Sequence, residues 1–243
     1  MLDTQFFSHE TAATLWGAPL PLSDHSGRPG FPVHVSIFGD GPIPREPNVS
    51  GHRARTHTTT VVRRDGVAAA SPASTWASLG HLPLDDLIAL GDYFCREWRT
   101  GVGRRHVGRA PLASREQLRA ALDAGRRVGN PRLRRALELI REDSWSPRES
   151  RLRCLLVRAG LPEPQLNIDV FDDEGRFLGC LDLAYPEKKT AVEYHGLQHA
   201  GTYSADVERM ARLRAAGWTV IEVTAPLLAT PSSLIARVRA ALR

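Results

Sequence analysis

Asp182 and Glu193 stand eleven positions apart. The first lies in Leu181-Asp182-Leu183-Ala184-Tyr185, the second in Thr190-Ala191-Val192-Glu193-Tyr194-His195, and Pro186-Glu187-Lys188-Lys189 separates them. Two apolar runs around a short polar, proline-led connection predict two antiparallel strands joined by a tight turn. That arrangement brings the two carboxylates side by side. A pair of hard oxygen donors suits Mg²⁺ or Mn²⁺, with a backbone carbonyl of Ala191-Val192 as a further ligand. Such an ion polarises a phosphate and lowers the pKa of an attacking water, which is the chemistry of phosphodiester hydrolysis. The alternative for Asp182 is a surface carboxylate at a strand end. Leu181 and Leu183 flank it, so it projects to the face opposite theirs.

Other residues could join this pair. Glu193 and His195 share a strand face, with Tyr194 on the other side. A neutral imidazole at His195 could serve as general base or as a softer ligand. Glu149 lies on the same helical face as Leu152 and Leu156, which aims it inward. Ser146-Pro147-Arg148-Glu149 is also a capping box, in which Glu149 would accept from the Ser146 N–H. Both roles can hold at once. His199, four residues after His195, could turn back toward the same cleft if a helix or loop begins at Gly196. A His-x-x-x-His pair points only weakly to zinc without a third ligand nearby. Cys180 shares a face with Asp182 and reads as a small buried thiol. Arg209 and Arg212 would contact phosphate, although Asp206 and Arg209 also form an ordinary i,i+3 ion pair.

Helix and strand signals place these residues. Ser146 to Ala159 reads as a helix ended by Gly160-Leu161-Pro162, followed by strands near Leu166–Phe171, Phe177–Ala184 and Thr190–His195. A helix over Ser204–Ala215, a strand over Trp218–Val223 and a helix over Pro231–Leu242 complete the segment. Upstream, Ser8 caps a helix over Glu10–Trp16, Val33–Phe38 alternates as a strand, and Asp65-Gly66 marks a hairpin turn. Helices open at Ser71-Pro72, Leu84, Ser114 and Pro131, with glycines between them.

Net charge is +5, but its distribution is uneven. Between Arg96 and Arg158 there are 17 arginines and 7 acids, while the segments on either side are slightly acidic. A block of this kind favours a polyanion, most plainly nucleic acid. A solvated helical face under a coding bias is the alternative, since the chain has 30 arginines and 2 lysines. Three scattered cysteines indicate neither a disulfide framework nor a zinc ribbon. No apolar stretch is long enough to span a bilayer. Met1-Leu2-Asp3-Thr4-Gln5 lacks a signal-peptide pattern, so a cytoplasmic location is expected.

The α-β-β-β-α-β order, with acids on the second and third strands, resembles the PD-(D/E)XK nuclease superfamily. More closely, Ser146 to Arg153, Asp182-Leu183-Ala184-Tyr185-Pro186-Glu187 and Glu193-Tyr194-His195-Gly196 are similar to the very-short-patch-repair-like endonuclease domain, catalogued as domain of unknown function 559. His199, Asp206, Arg209 and Ala216-Gly217-Trp218-Thr219-Val220 extend the match over roughly the last hundred residues. The resemblance implies an α/β restriction-endonuclease-like core at 144–243, with an N-terminal α+β region and basic helices at 1–143. It implies Asp182 and Glu193 as metal ligands, Glu149 and His195 as catalytic partners, and DNA contacts by Arg209, Arg212, His199 and Gln198. The superfamily expects lysine at the position of His195 and the nearer relatives aspartate, so this chain departs from the pattern there. Ser8-His9-Glu10 to Gly17, with Val33-His34-Val35 and Asp65-Gly66, resembles AbiEi-type antitoxin-associated proteins. In that group a winged helix precedes this region, and since the sequence begins almost at Ser8 the expectation is that this module is absent, through a truncated or late-start reading frame. The expected activity is metal-dependent DNA cleavage or nicking with Mg²⁺ or Mn²⁺. The alternative is an inactive nucleic-acid-binding or type IV antitoxin-like protein with a nucleotidyltransferase-like toxin as partner.

Overall fold

The structure is a computed structural model that describes residues 4–21, 32–194 and 203–243, with side chains of the last stretch described from residue 206. The chain is α+β with two mixed sheets, and it divides into two compact units. One unit is Met1–Glu97 with Ala110–Glu142; the other is Trp98–Arg109 with Asp143–Arg243. The segment Trp98–Arg109, expected within the N-terminal part, therefore belongs to the second unit. Its reason is chemical: Arg99 and Arg104 hydrogen-bond backbone carbonyls of Leu166 and Asn167.

In the first unit, β1 (Gln5–Phe7) leads into α1 (His9–Leu15), followed by β2 (Val33–Phe38), β3 (Val49–Ala54), β4 (Val61–Arg64) and β5 (Val67–Ala70). The sheet runs β3-β2-β1-β5-β4, with β1 antiparallel to β2 and parallel to β5. Asp65 and Gly66 both take positive φ, +48° and +82°, as the tight β4–β5 turn requires. The helices α2 (Pro72–Ser78), α3 (Leu84–Cys95), α4 (Arg115–Asp123) and α5 (Asn130–Leu139) follow. Ser71 caps α2, and Ser114 with Gln117 forms a complete capping box on α4. Ser8 stands at the N-cap of α1 without a side-chain capping bond. Its hydroxyl instead meets Ser36 and His9, which take the lone pairs a cap would use.

The second unit contains α6 (Pro147–Arg158), β6 (Gln165–Phe171), β7 (Phe177–Tyr185), β8 (Thr190–Tyr194), α7 (Tyr203–Ala215), β9 (Thr219–Val223), the short α8 (Ala225–Leu228) and α9 (Pro231–Ala241). Its sheet order is β6-β7-β8-β9; β8 and β9 are parallel, the other pairs antiparallel. Both faces are covered. Leu152 and Leu156 of α6 and Leu234 and Val238 of α9 pack with Leu183, Tyr185, Val192 and Val223 on one side. Met210 and Leu213 of α7 pack with Ala184, Ala191 and Trp218 on the other. Burial from both sides explains why β7 and β8 read as nearly continuous apolar runs. An acid inside such a run then needs a specific partner.

Leu183 is fully buried in the α6–α9 layer. Leu183→Ala is expected to cost about 3 kcal/mol in chemical denaturation, the usual loss for a leucine that leaves a cavity. A loss below about 1 kcal/mol would mean that this layer does not hold the sheet.

Candidate active site

The β7–β8 ladder pairs Tyr185 with Thr190, Ala184 with Ala191 and Leu183 with Val192. One further step in that register sets Asp182 opposite Glu193, the two acids expected to meet. The backbone ladder ends there and side chains take it over. The Asp182 N–H donates to Glu193 Oε1 at 2.9 Å, and the Tyr194 N–H donates to Asp182 Oδ2 at 3.0 Å. Each carboxylate thus replaces a strand carbonyl, which holds both at fixed positions.

The opposite side of β7 is irregular at the same point. The β6–β7 pairing includes Leu166 with Leu183 and Ile168 with Leu181 but passes over Asn167 and Asp182. Asn167 has a φ of +49°, a left-handed conformation that asparagine tolerates better than most residues. Its side-chain amide is thereby free to donate to Glu149 Oε2 at 2.6 Å and to the Asp143 carbonyl at 2.8 Å. Glu149 is 7% exposed and also accepts from the Trp145 N–H at 2.8 Å. This corrects the capping-box expectation, which had Glu149 accept from Ser146. Ser146 Oγ does cap the Glu149 N–H, but the Glu149 carboxylate is turned inward toward β6 and meets Trp145 instead.

Electrostatics tie the three acids together. Burial raises Glu149 above the ordinary glutamate range, and the charge of Asp182 raises it further. Glu193, 4% exposed, is pushed up to about 7, first by desolvation and then by Asp182. Arg209 opposes that rise through an ion pair of 2.9 Å between its Nη2 and Glu193 Oε2. The Arg209 side chain crosses β7 at Gly179, where an added Cβ would sit 3.1 Å from its Cδ. Glycine there leaves room for the arm. Glu222, beside Glu193 in the β8–β9 register, is held separately by Arg214 of α7 at 2.5 Å.

Further arginines surround the acids. Arg148 is exposed on α6, and its guanidinium lies 5.1 Å from the centre of the Tyr194 ring. Arg104 donates to the Asn167 carbonyl at 2.9 Å and pairs with Asp169 at 2.6 Å. Its guanidinium also stacks 4.7 Å from the centre of the Trp145 ring. Burial pushes the Cys180 thiol up to about 12, which keeps it protonated at neutral pH.

Of the residues singled out from sequence, the structure brings Glu149, Asp182, Glu193 and Arg209 together. Arg212 is exposed and lines a cleft of about 1050 Å³ with Arg176, Lys189 and Trp218, away from the acids. His195, Gln198 and His199 lie outside the described residues. Sequence reasoning missed Asn167, Gly179, Arg99 and Arg104. The signal for Asn167 was weak, an asparagine inside an apolar strand run, and nothing local marked the arginines. Among the described residues, the group of three or more potential ligands close enough to share one ion is His9, His34 and His52. The three acids are spread more widely than that. No protein-family model, curated protein or solved structure matches this chain.

Because the native pKa of Glu193 lies above its ordinary 4.5, its contribution to stability is complete below pH 4.5 and is lost as pH rises through about 7. Asp182→Asn removes the repelling charge and keeps an acceptor for the Tyr194 N–H. It is expected to flatten that decline and to raise stability at pH 8 by about 1 kcal/mol in urea denaturation. A lower stability than the parent at pH 8 would contradict the electrostatic account.

Proposed function

We propose that the second unit is a metal-dependent phosphodiesterase of the PD-(D/E)XK type that cleaves or nicks DNA. The observation that carries this reading is the pairing of half-buried Asp182 with buried Glu193. Two carboxylates are held at a break in the sheet ladder, and Glu193 is shifted toward neutrality first by its burial and then by the charge of Asp182. Folded chains keep such repulsion where it serves a site rather than stability.

The donor set fits Mg²⁺ or Mn²⁺. It consists of hard oxygens at a place where added positive charge relieves the Asp182–Glu193 repulsion. Asp182 and Glu193 would hold the ion, which when bound supplies Lewis-acid polarisation of the phosphate and an acidified water. The remaining work falls to the chain's own groups. Glu149, raised by burial, is suited to hold or transfer a proton at its carboxylate, and Asn167 fixes its orientation. Arg148 offers an exposed guanidinium to a backbone phosphate, steadied by the Tyr194 ring. Arg209 must loosen from Glu193 if the carboxylate is to face an ion. The released guanidinium is then placed to bind the phosphate.

A second reading has its own support. Both Glu193 oxygens are already engaged, one by the Asp182 N–H and one by Arg209. A site locked in that way fits an inactive nucleic-acid-binding or type IV antitoxin-like protein, with a nucleotidyltransferase-like toxin as its partner.

Supercoiled plasmid distinguishes the two. With Mg²⁺ or Mn²⁺ the protein is expected to nick or linearise it, EDTA to abolish the reaction, and Asp182→Ala or Glu193→Ala to slow it by at least about 100-fold. Cleavage that survives both substitutions would refute the site, and binding without cleavage would favour the second reading. Arg148→Ala is expected to weaken DNA binding and to lower the salt slope of log K by about 1.

A further inference from the structure

We propose that the first unit carries a transition-metal site of the Zn²⁺ class, with His9, His34 and His52 as its ligands. One potential ligand atom from each imidazole lies within 4.8 Å of the others. Three imidazoles are a borderline-soft nitrogen set, which selects zinc or a neighbouring metal over Mg²⁺.

The backbone gathers them from three elements. β2 and β3 are parallel neighbours, with His34 opposite Ser50 and Ser36 opposite His52. The two histidines therefore sit one pleat apart on one face, and His34 Nδ1 lies 2.9 Å from His52 Nε2. His9 opens α1 and stacks on His52 with ring centres 4.0 Å apart. It holds a φ of +50°, a conformation that costs about 1 kcal/mol or more for a side chain of this kind. Strain of that sort persists where surrounding structure imposes it, often at binding sites.

Second contacts hold the outer nitrogens of His34 and His9, and the inner His34 Nδ1 and His52 Nε2 share a hydrogen bond that an ion would replace. His34 Nε2 faces Glu10 Oε2 at 3.3 Å, which leaves Nδ1 toward His52. His9 Nδ1 meets Ser8 Oγ at 2.9 Å, which leaves Nε2 as the ligand atom. A carboxylate behind a histidine is the usual outer support of a metal ligand. Glu10 is 8% exposed and reaches His81 through its other oxygen at 2.9 Å. Its Oε2 is buried without a hydrogen bond of good geometry, as expected of a carboxylate awaiting a better-aligned imidazole N–H. Ser50 Oγ, 3.3 Å from His52 Nε2, is the polar group an ion would displace. Ser8, Ser36 and His9 line a cleft of about 740 Å³ together with Arg53, Arg55 and Arg126, so a fourth position facing it would take water or an anion.

The test uses the full chain stripped with chelator and titrated with Zn²⁺ by calorimetry and with Co²⁺ by absorption. One ion per chain is expected, with the intense visible bands of four- or five-coordinate Co²⁺. Asp182→Ala should retain that ion, which separates this site from the carboxylate pair and from the nuclease reading. His34→Asn and His52→Asn should lose it, and His81→Ala should keep it. Glu10→Gln should weaken Zn²⁺ by about 10- to 100-fold, the usual effect of losing an outer partner. A wild-type Co²⁺ spectrum that is weak and octahedral would overturn the proposal whatever the variants do. So would Zn²⁺ stoichiometry unchanged in His52→Asn.

Discussion

The second unit is organised around the cost of placing two carboxylates next to each other under a helix. Asp182 and Glu193 occupy facing positions in a sheet that is covered on both sides, where desolvation favours the neutral acid. Three devices make the arrangement tolerable. Strand N–H groups donate to both carboxylates, Arg209 neutralises one of them, and Glu193 rises toward neutrality. The rest follows from that pair. Gly179 is small so that Arg209 can cross β7, and β6 is irregular at Asn167 so that Glu149 can be held nearby. Hydrophobic packing alone would place leucine or valine at positions 182 and 193.

Much of this was legible in the chain because strand register is arithmetic. A tight turn over 186–189 makes the paired positions sum to a constant, so a spacing of eleven sets Asp182 opposite Glu193. The inward aim of Glu149 followed from its helical spacing to Leu152 and Leu156. The bond to Trp145 did not, because a capping box and an inward carboxylate share the same sequence pattern. Arg209 reads locally as a partner for Asp206 three residues away, and only the packing of α7 over β7 reveals Glu193 as the alternative. The unexpected membership of Trp98–Arg109 has the same origin. Arginines that bond strand carbonyls look no different from solvated ones until the strand is in place.

The histidine group was invisible for a related reason. His9, His34 and His52 are scattered over more than forty positions, and β3 carries Gly51 and Arg53 among its residues, which disguises it as loop. Parallel pairing of β2 with β3 is what turns His34-Val35-Ser36 and Ser50-Gly51-His52 into one polar face. Burial and the neighbouring imidazoles of His52, His34 and His81 push His9 down to about 3.

The two clusters illustrate opposite solutions to burying polar groups. In the second unit, like charges are kept together and balanced by an arginine from α7, which leaves an electrostatic deficit that a cation or a phosphate-bound metal would relieve. In the first, imidazole rings are stacked and Glu10 supports His34, which brings ring nitrogens rather than like charges together. Oxygen anions and imidazole lone pairs select different ions, hard in one case and borderline in the other. A chain that holds both has spent stability in two places, at the Asp182–Glu193 contact and at the left-handed backbone of His9. Neither expense improves packing. On the two readings proposed above, each is the cost of an arrangement shaped to receive a ligand.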